Sequence, residues 1–259
     1  MRRREFAARV WAKLVRFEKS SRLFGPGDRV LAAVSGGPDS VCLAHYLDSR
    51  RRKLGFDLAL AYVHHGLRPE AAREAAFVER LAKSLGLAAS VLKVDARKLA
   101  AARRAGIEEA ARKARYEALA REARRLRFSK VATGHQLDDQ AETVLLNLLR
   151  GGSLRALAAM PPRRTLSGSI QLVRPLLPLR RSDVLAYIER HGLRYRIDRS
   201  NFEARFLRNW LRRKILPALE RRQPRTAEHL SRLAEEVRGQ VWTWDAHGNP
   251  PHGMSNVQT

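Results

Sequence analysis

A doubly wound α/β fold on a mostly parallel sheet, with a short helical C-terminal appendage, is what this sequence predicts. Short apolar runs alternate with segments of helical periodicity from residue 29 to about 150. Their spacing leaves a crossover helix between successive runs, as parallel neighbours require. The first run, RVLAAVS at 29–35, ends directly in two glycines, as a buried parallel strand opening into a ligand-binding turn does.

Taken in order, Phe6, Val10, Leu14 and Val15 fall near helical spacing, so residues 5–18 read as an amphipathic opening helix. Gly25, Pro26 and Gly27 break it. After the strand at 29–35 comes a helix from about Asp39 to Arg52. The alternation repeats with strand DLALAYVHH at 57–65, a helix near 70–85 and strand AASVLKV at 88–94. A long helix at about 107–126, strand FSKVAT at 128–133 and a helix at about 137–150 follow. Beyond Gly151 and Gly152 the texture changes: MPPRR at 160–164 and TLSGS at 165–169 read as a loop, and QLVRPLLPL as an edge-like strand interrupted by prolines. Ser182 and Asp183 can cap a helix running to His191, ended by Gly192. From about Phe206 the chain is helical and strongly basic, and from Trp242 it has no periodicity, the pattern of a disordered tail. The expected organisation is a lead-in at 1–27, a main domain at 28–202, a basic helical appendage at 203–240 and an irregular tail at 241–259.

A chain of 259 residues suits one large α/β domain with or without an appendage. Lys and Arg number 51 against 26 Asp and Glu, a formal net charge of +25. That balance favours a polyanionic partner such as nucleic acid, because neutralising phosphates releases condensed counterions. An arginine-biased composition is the plainer alternative. No apolar stretch approaches the roughly 20 residues of a spanning helix, and mean hydropathy is −0.41, so no membrane is expected. MRRREFAARVW lacks the apolar run of a signal peptide. One cysteine allows neither a disulfide framework nor a thiolate metal site, and a reducing cytoplasm is the expected setting.

The most informative residues are Ser35, Gly36, Gly37, Pro38, Asp39 and Ser40. Adjacent glycines let backbone N–H groups close around an anion, and the helix that follows adds its positive end. The Ser35 and Ser40 hydroxyls can donate to phosphate oxygens. Asp39 would repel phosphate unless it holds Mg²⁺. The loop has no Walker lysine and lacks the glycine spacing of a dinucleotide fingerprint. His64 and His65 end the second strand at the same sheet edge, where a near-neutral imidazole can contact phosphate or adenine. Gly134, His135, Asp138, Asp139 and Glu142 form an acidic patch in a basic chain. At about 100° per residue Leu137, Ala141, Val144, Leu145 and Leu148 make one stripe and the three acids cluster beside it. A simple capped first turn accounts for one or two carboxylates; three suggest a cation, Mg²⁺ or an amine. Arg112 and Arg115, beside Tyr116, can face one oxyanion.

SGGPDS resembles the SGGxDS loop of the N-type ATP pyrophosphatase superfamily, which implies an adenine nucleotide alpha-hydrolase-like fold and release of pyrophosphate from ATP. VSGGPDSVCLAH, YVHHGLRPEA, EEAARKARYEAL and GHQLDDQAETVLLNLLRGG together resemble the tRNA(Ile)-lysidine synthetases. RPLLPLRRSDVLAYIERHGLRYRIDRSNFEARFLRNWLRRKILPAL is similar to the segment closing that family's catalytic domain, so the resemblance spans about 28–219. It implies ATP-dependent attachment of free L-lysine to the wobble cytidine of an isoleucine tRNA, by adenylation at the C2 oxygen and attack by the amine. Carried over, Ser35, Gly36, Gly37, Pro38, Asp39 and Ser40 contact the nucleotide, with His65, Gly134 and His135 beside them. Asp139, Glu142 and Arg115 hold the lysine, and Asp39 takes Mg²⁺ and counts with them as catalytic. A homodimer is one assembly the resemblance allows. Many family members carry further tRNA-recognition domains, whereas here about one helical hairpin follows the main domain. Arg205, Arg208, Arg212, Arg213, Lys214, Arg221, Arg222 and Arg225 read as a tRNA-backbone surface or a solvated face, and Trp210 as core. Two rivals are a cytidine thiolase, which uses paired cysteines where Cys42 has no partner, and a non-catalytic RNA-binding protein. Cys42 itself reads as a buried structural thiol.

Overall fold

The computed structural model describes residues 3–64, 71–94, 107–196 and 207–241. Helix α1 (Arg3–Ser20) precedes β1 (Arg29–Ala33), α2 (Pro38–Leu54), β2 (Asp57–His64), α3 (Ala71–Leu85) and β3 (Ala88–Lys93). Then come α4 (Ile107–Arg125), β4 (Lys130–Ala132), α5 (Leu137–Leu149), the single turn α6 (Leu154–Leu157), β5 (Arg163–Ser167), β6 (Ile170–Val173) and α7 (Arg181–Arg190). The described chain ends with α8 (Leu207–Trp210), a π-helical turn (Leu211–Ile215), α9 (Leu216–Arg222) and α10 (Thr226–Val241).

The sheet runs β3-β2-β1-β4-β6-β5, parallel throughout except for β5 against β6. The chain leaves β1 to one side for β2 and β3, then returns to its other side for β4. That reversal opens a crevice at the carboxyl ends of β1 and β4, where ligands bind in open α/β sheets. Both faces are covered, so β1 needs apolar residues on both. Val30 and Ala32 face Leu43, Leu47 and Leu176, while Leu31 faces Ala114, Leu119 and Phe128 of the α4 layer. Helix α1 belongs to the first layer through Val10 and Leu14. It is clamped by Glu18, which accepts from the Tyr46 hydroxyl (2.5 Å) and pairs with Arg50 (2.7 Å) in the interior.

Several expectations need correction. The stretch 160–169 is not all loop, because Arg163–Ser167 forms an antiparallel strand with β6. That makes β5 the edge and puts β6 inside the sheet, where its short run Ile170–Val173 has no proline to interrupt the ladder; RPLLPL lies beyond it. The helix expected from Ser182 starts at Arg181, and Asp183 accepts from the Arg180 N–H (3.0 Å), so Asp183 closes the first turn from inside it. Trp210 is not core, with 42% of its surface exposed, and Leu148, at the end of the α5 stripe, is 58% exposed. The π turn has a cause in Pro217, which cannot donate to the carbonyl four residues back and so loosens the preceding turn. His65, Arg205 and the tail from Trp242 lie outside the described residues. Cys42 is buried, and burial pushes its thiol well up, as a structural cysteine requires.

Candidate functional site

The twin-glycine loop sits at the mouth of β1. Gly36 takes φ +86°, a left-handed conformation that L residues rarely adopt. A Cβ there would also come within 3.1 Å of the Phe77 ring. Gly37 is the N-cap of α2 and Pro38 opens the helix, where a missing N–H costs nothing. Ser40 Oγ donates to the Gly37 carbonyl (2.9 Å) and accepts from the Ser35 N–H (3.2 Å). The Ser40 hydroxyl therefore shapes the loop, while the Ser35 hydroxyl lies 3.4 Å away from it. The backbone N–H of Arg196 donates to the Gly36 carbonyl (2.8 Å), closing the loop from the far end of the sheet domain.

Gly134, just past β4, packs against this loop. A Cβ on Gly134 would meet the Asp39 carbonyl carbon and oxygen at 3.0 Å and the Ser40 nitrogen at 3.3 Å. Only a glycine lets the two strand-end loops touch, so this residue fixes the width of the crevice. His135 beside it is held by a hydrogen bond between Nδ1 and the Thr133 hydroxyl (2.9 Å). Burial, then the cations Arg174 and Arg115, push its imidazole well below the ordinary range, so it is neutral.

Asp39 is the most telling carboxylate. Its Oδ1 is buried without a hydrogen-bond partner, and Oδ2 lies 3.4 Å from Arg181. Burial, followed by repulsion from Asp139, raises its pKa to about 6. An unsatisfied carboxylate oxygen beside a phosphate-type loop fits a hard cation such as Mg²⁺, which takes one or two carboxylates and completes its shell with phosphate and water. Among the described residues no group of three or more His, Cys, Asp or Glu is placed to hold a metal by itself.

The acids of α5 are brought to the same edge but do different work. Asp138 accepts from the Arg181 N–H (2.8 Å) and pairs with Arg180 (3.1 Å). Asp139 Oδ2 accepts from the Gln136 N–H (3.0 Å) and completes a capping box with the Gln136 side chain. Its Oδ1 faces Arg212 (2.7 Å). Glu142 is 1% exposed and takes Arg212 Nε on Oε1 (2.6 Å) and Arg208 Nε on Oε2 (3.0 Å). Burial pushes the Glu142 carboxyl up against the pull of Arg212. A small cleft here is lined by Gln136, Asp138, Glu142, Arg181, Arg212 and Glu220. The basic run thus divides: Arg208 and Arg212 turn inward onto acids, while Arg213, Lys214, Arg221, Arg222 and Arg225 are exposed. The spacing of Arg208 and Arg212, four apart on one helical face, was the available signal for a paired inward role.

A family model described as the PP-loop domain matches residues 9–219. The chain belongs to the PP-loop family. Among curated proteins, the PP-loop chain is 40% identical over 227 residues to a tRNA(Ile)-lysidine synthase of Dehalococcoides mccartyi, covering 86% of this chain and 48% of that protein. A tRNA(Ile)-lysidine synthase of Symbiobacterium thermophilum is 43% identical over 215 residues, 82% of this chain and 44% of its own. The chain therefore spans about half the length of the curated relatives it matches. Among solved structures, the U34-tRNA thiolase NcsA from Methanococcus maripaludis, with its [4Fe-4S] cluster, superposes with a TM-score of 0.74 at 18% identity, over 91% of this chain and 80% of that one. At that identity the likeness is one of fold. It agrees with the α/β expectation and with the PP-loop arrangement of loop and sheet. No helix among the described residues is long and apolar enough to cross a membrane.

Proposed function

We propose that this PP-loop chain carries the ATP-dependent tRNA(Ile)-lysidine synthetase activity, joining free L-lysine to the wobble cytidine of an isoleucine tRNA. One observation carries the reading: the twin-glycine loop and the Asp139–Glu142 acids share the crevice where strand order reverses, held together by the Gly134 contact with Asp39. An activated nucleotide and an amine need that proximity, because holding reactants in line replaces a bimolecular encounter. The relatives named above support the choice of substrate.

In this reading the cytosine C2 oxygen attacks the α-phosphorus of ATP and pyrophosphate leaves. The lysine amine then attacks C2, and the C2–O bond breaks to release AMP. Backbone N–H groups of Gly36 and Gly37 and the positive end of α2 stabilise the charge on the departing pyrophosphate. Bound Mg²⁺ would neutralise phosphate charge, and Asp39, through its unpartnered Oδ1, is the residue to hold it. Neutral His135 lines the nucleotide side, and Gly134 lets the nucleotide approach; His65 is assigned to the same side on the resemblance alone. Asp139 and Glu142 receive the substrate ammonium and Arg115 its carboxylate. The exposed cations of the 213–225 run meet the RNA backbone. The setting expected is cytoplasmic, and a homodimer is compatible with it.

The test is incorporation of labelled lysine into an isoleucine tRNA transcript. Label that enters only with ATP present supports the synthetase. Retained RNA binding with no incorporation in the presence of ATP and Mg²⁺ would leave a binding module instead.

A further inference from the structure

Four guanidiniums gather around one tyrosine on the α4 side of the sheet. The Cζ atoms of Arg115, Arg112 and Arg164 lie 5.2, 5.5 and 5.6 Å from the Tyr116 ring centroid. Arg174, at the carboxyl end of β6, joins them in the interior with 2% exposure. Its Nη1 donates to the Pro161 carbonyl (2.7 Å), but its Nε is buried with no partner. The Tyr116 hydroxyl and Arg115 Nε are buried and unpartnered too. Tyr116 is itself 8% exposed.

Removing an arginine from water costs several kcal/mol unless a counter-charge faces it. Among the described residues, the hydrogen bonds these guanidiniums make go to carbonyl oxygens, of Pro161 and of Thr165 from Arg164 (3.0 Å), and not to carboxylates. Cations of this density, with donors left over on α4 and just past β6, describe a receptacle for a negative group. A single carboxylate would leave most of the charge uncompensated. A phosphate offers more charge and several acceptor oxygens matched to guanidinium forks.

We propose that Arg112, Arg164 and Arg174, with Arg115 and the Tyr116 hydroxyl, form a second phosphate site, built from residues other than those of the twin-glycine loop. Arg115 is the member it shares with the proposed lysine site. The inference goes beyond the synthetase reading and stands or falls without it. The phosphate has two sources, the RNA backbone and free phosphate, and the experiment separates them.

The probe is Tyr116. Burial alone would push its phenol up, but Arg115, Arg174, Arg112 and Arg164 outweigh it and bring it down to about 8. In the whole chain, absorbance at 295 nm followed from pH 7 to 11 should show an early tyrosinate phase that Tyr116→Phe abolishes. Inorganic phosphate at constant ionic strength should move that phase up by about one pH unit, since a neighbouring charge shifts a pKa by 1–3. Arg164→Gln, at the partly buried rim, should reduce the phosphate-induced shift at least about twofold. A short oligocytidylate acting at lower concentration than inorganic phosphate would assign the RNA backbone as source, and phosphate acting alone would assign the free ion; either supports the site. Phosphate leaving the phase unmoved, or no early phase at all, would overturn it. Thermal denaturation gives a second readout: phosphate should raise the Tm of the natural chain more than that of Arg164→Gln, and equal gains would count against the site.

Discussion

Arg212 Nε lies 2.6 Å from Glu142 Oε1, joining a π-helical turn near the end of the described chain to the buried face of α5. Burial works against the charge on Arg212, yet Glu142 and Asp139 outweigh it and raise its pKa, so the pair is ionic. The acids proposed for a substrate ammonium are therefore already satisfied by the chain's own cations. An incoming amine must share or displace them. Removing Arg212 alone leaves Glu142 partly unpaired in the interior, with Arg208 still facing it. Arg212→Gln should cost about 2 kcal/mol, the scale of a hydrogen bond to a charged group. Arg212→Gln with Glu142→Gln should cost less than the two single changes added, because the stranded charge is gone. Urea denaturation of the four proteins measures this, and strict additivity would mean that the pair does not couple.

Asp39 gives a pH dependence whose sign can be worked out. Its folded-state pKa is raised from 3.8 to about 6. The folded chain then binds more protons than the unfolded chain between those values, so stability present at pH 4 is lost as pH rises through 6. At 1.36 kcal/mol per unit, and discounted because the side chain is partly exposed, Asp39→Asn should stabilise by about 1–2 kcal/mol at pH 7.5. The gain should vanish near pH 3.5. Thermal melts across pH decide it, and a gain that persists at low pH would point to some other cause. The same substitution should abolish ATP-dependent lysine incorporation, a conflict between stability and activity common at functional sites.

Gly134 sets the crevice by having no side chain. In Gly134→Ala the new methyl would meet the Asp39 carbonyl at 3.0 Å, and backbone cannot move aside cheaply. The variant should lose about 1–3 kcal/mol of stability, as overpacking does. Its KM for ATP should rise about tenfold or more, while KM for lysine changes less, since a misplacement near 1 Å costs on the order of 100-fold. Steady-state kinetics with each substrate varied in turn provides the check; an unchanged ATP KM would show that the loop tolerates displacement.

How much was legible beforehand follows from which forces are local. The apolar run at 29–35 and the twin glycines marked β1 and its loop because burial on both faces and a left-handed turn leave a signature within a few residues. β5 was missed because RRTLS carries charges and no alternation; pairing with β6 makes it a strand, and that partner is a tertiary fact. Trp210 reads as core by residue type alone, yet it stands 42% exposed. The four-arginine basin was half visible, as Arg112 and Arg115 on one helix. Arg164 and Arg174 reach Tyr116 only because the β5–β6 hairpin folds onto α4, which periodicity along the chain does not reveal.

Asp139 serves as both cap and counter-ion, and an isosteric change separates the two. Asp139→Asn keeps an oxygen for the Gln136 N–H, so α5 should stay capped within about 1 kcal/mol. It removes the charge that would face the lysine ammonium. KM for lysine should rise about tenfold or more while KM for ATP holds, given 1.5–3 kcal/mol for a charge-assisted hydrogen bond. Lysine dependence indistinguishable from the natural chain would remove Asp139 from the amine site.

The exposed cations at 213–225 make a prediction about salt. Arg221, Arg222 and Arg225 are exposed near the α9–α10 turn, whereas Arg208 and Arg212 are spent on Asp139 and Glu142. RNA affinity should fall linearly in log–log form with salt, and each phosphate contact removed should reduce the slope by about 0.7–0.9. Replacing all three with Gln should therefore flatten it by about 2 if every residue meets a phosphate. Arg208→Gln should leave the slope within about 0.3 of the natural value, because its guanidinium is committed within the protein. Filter binding over a salt series distinguishes these cases. A larger change for Arg208→Gln than for the triple variant would place the RNA path over the acid-lined cleft instead of along the outer helices.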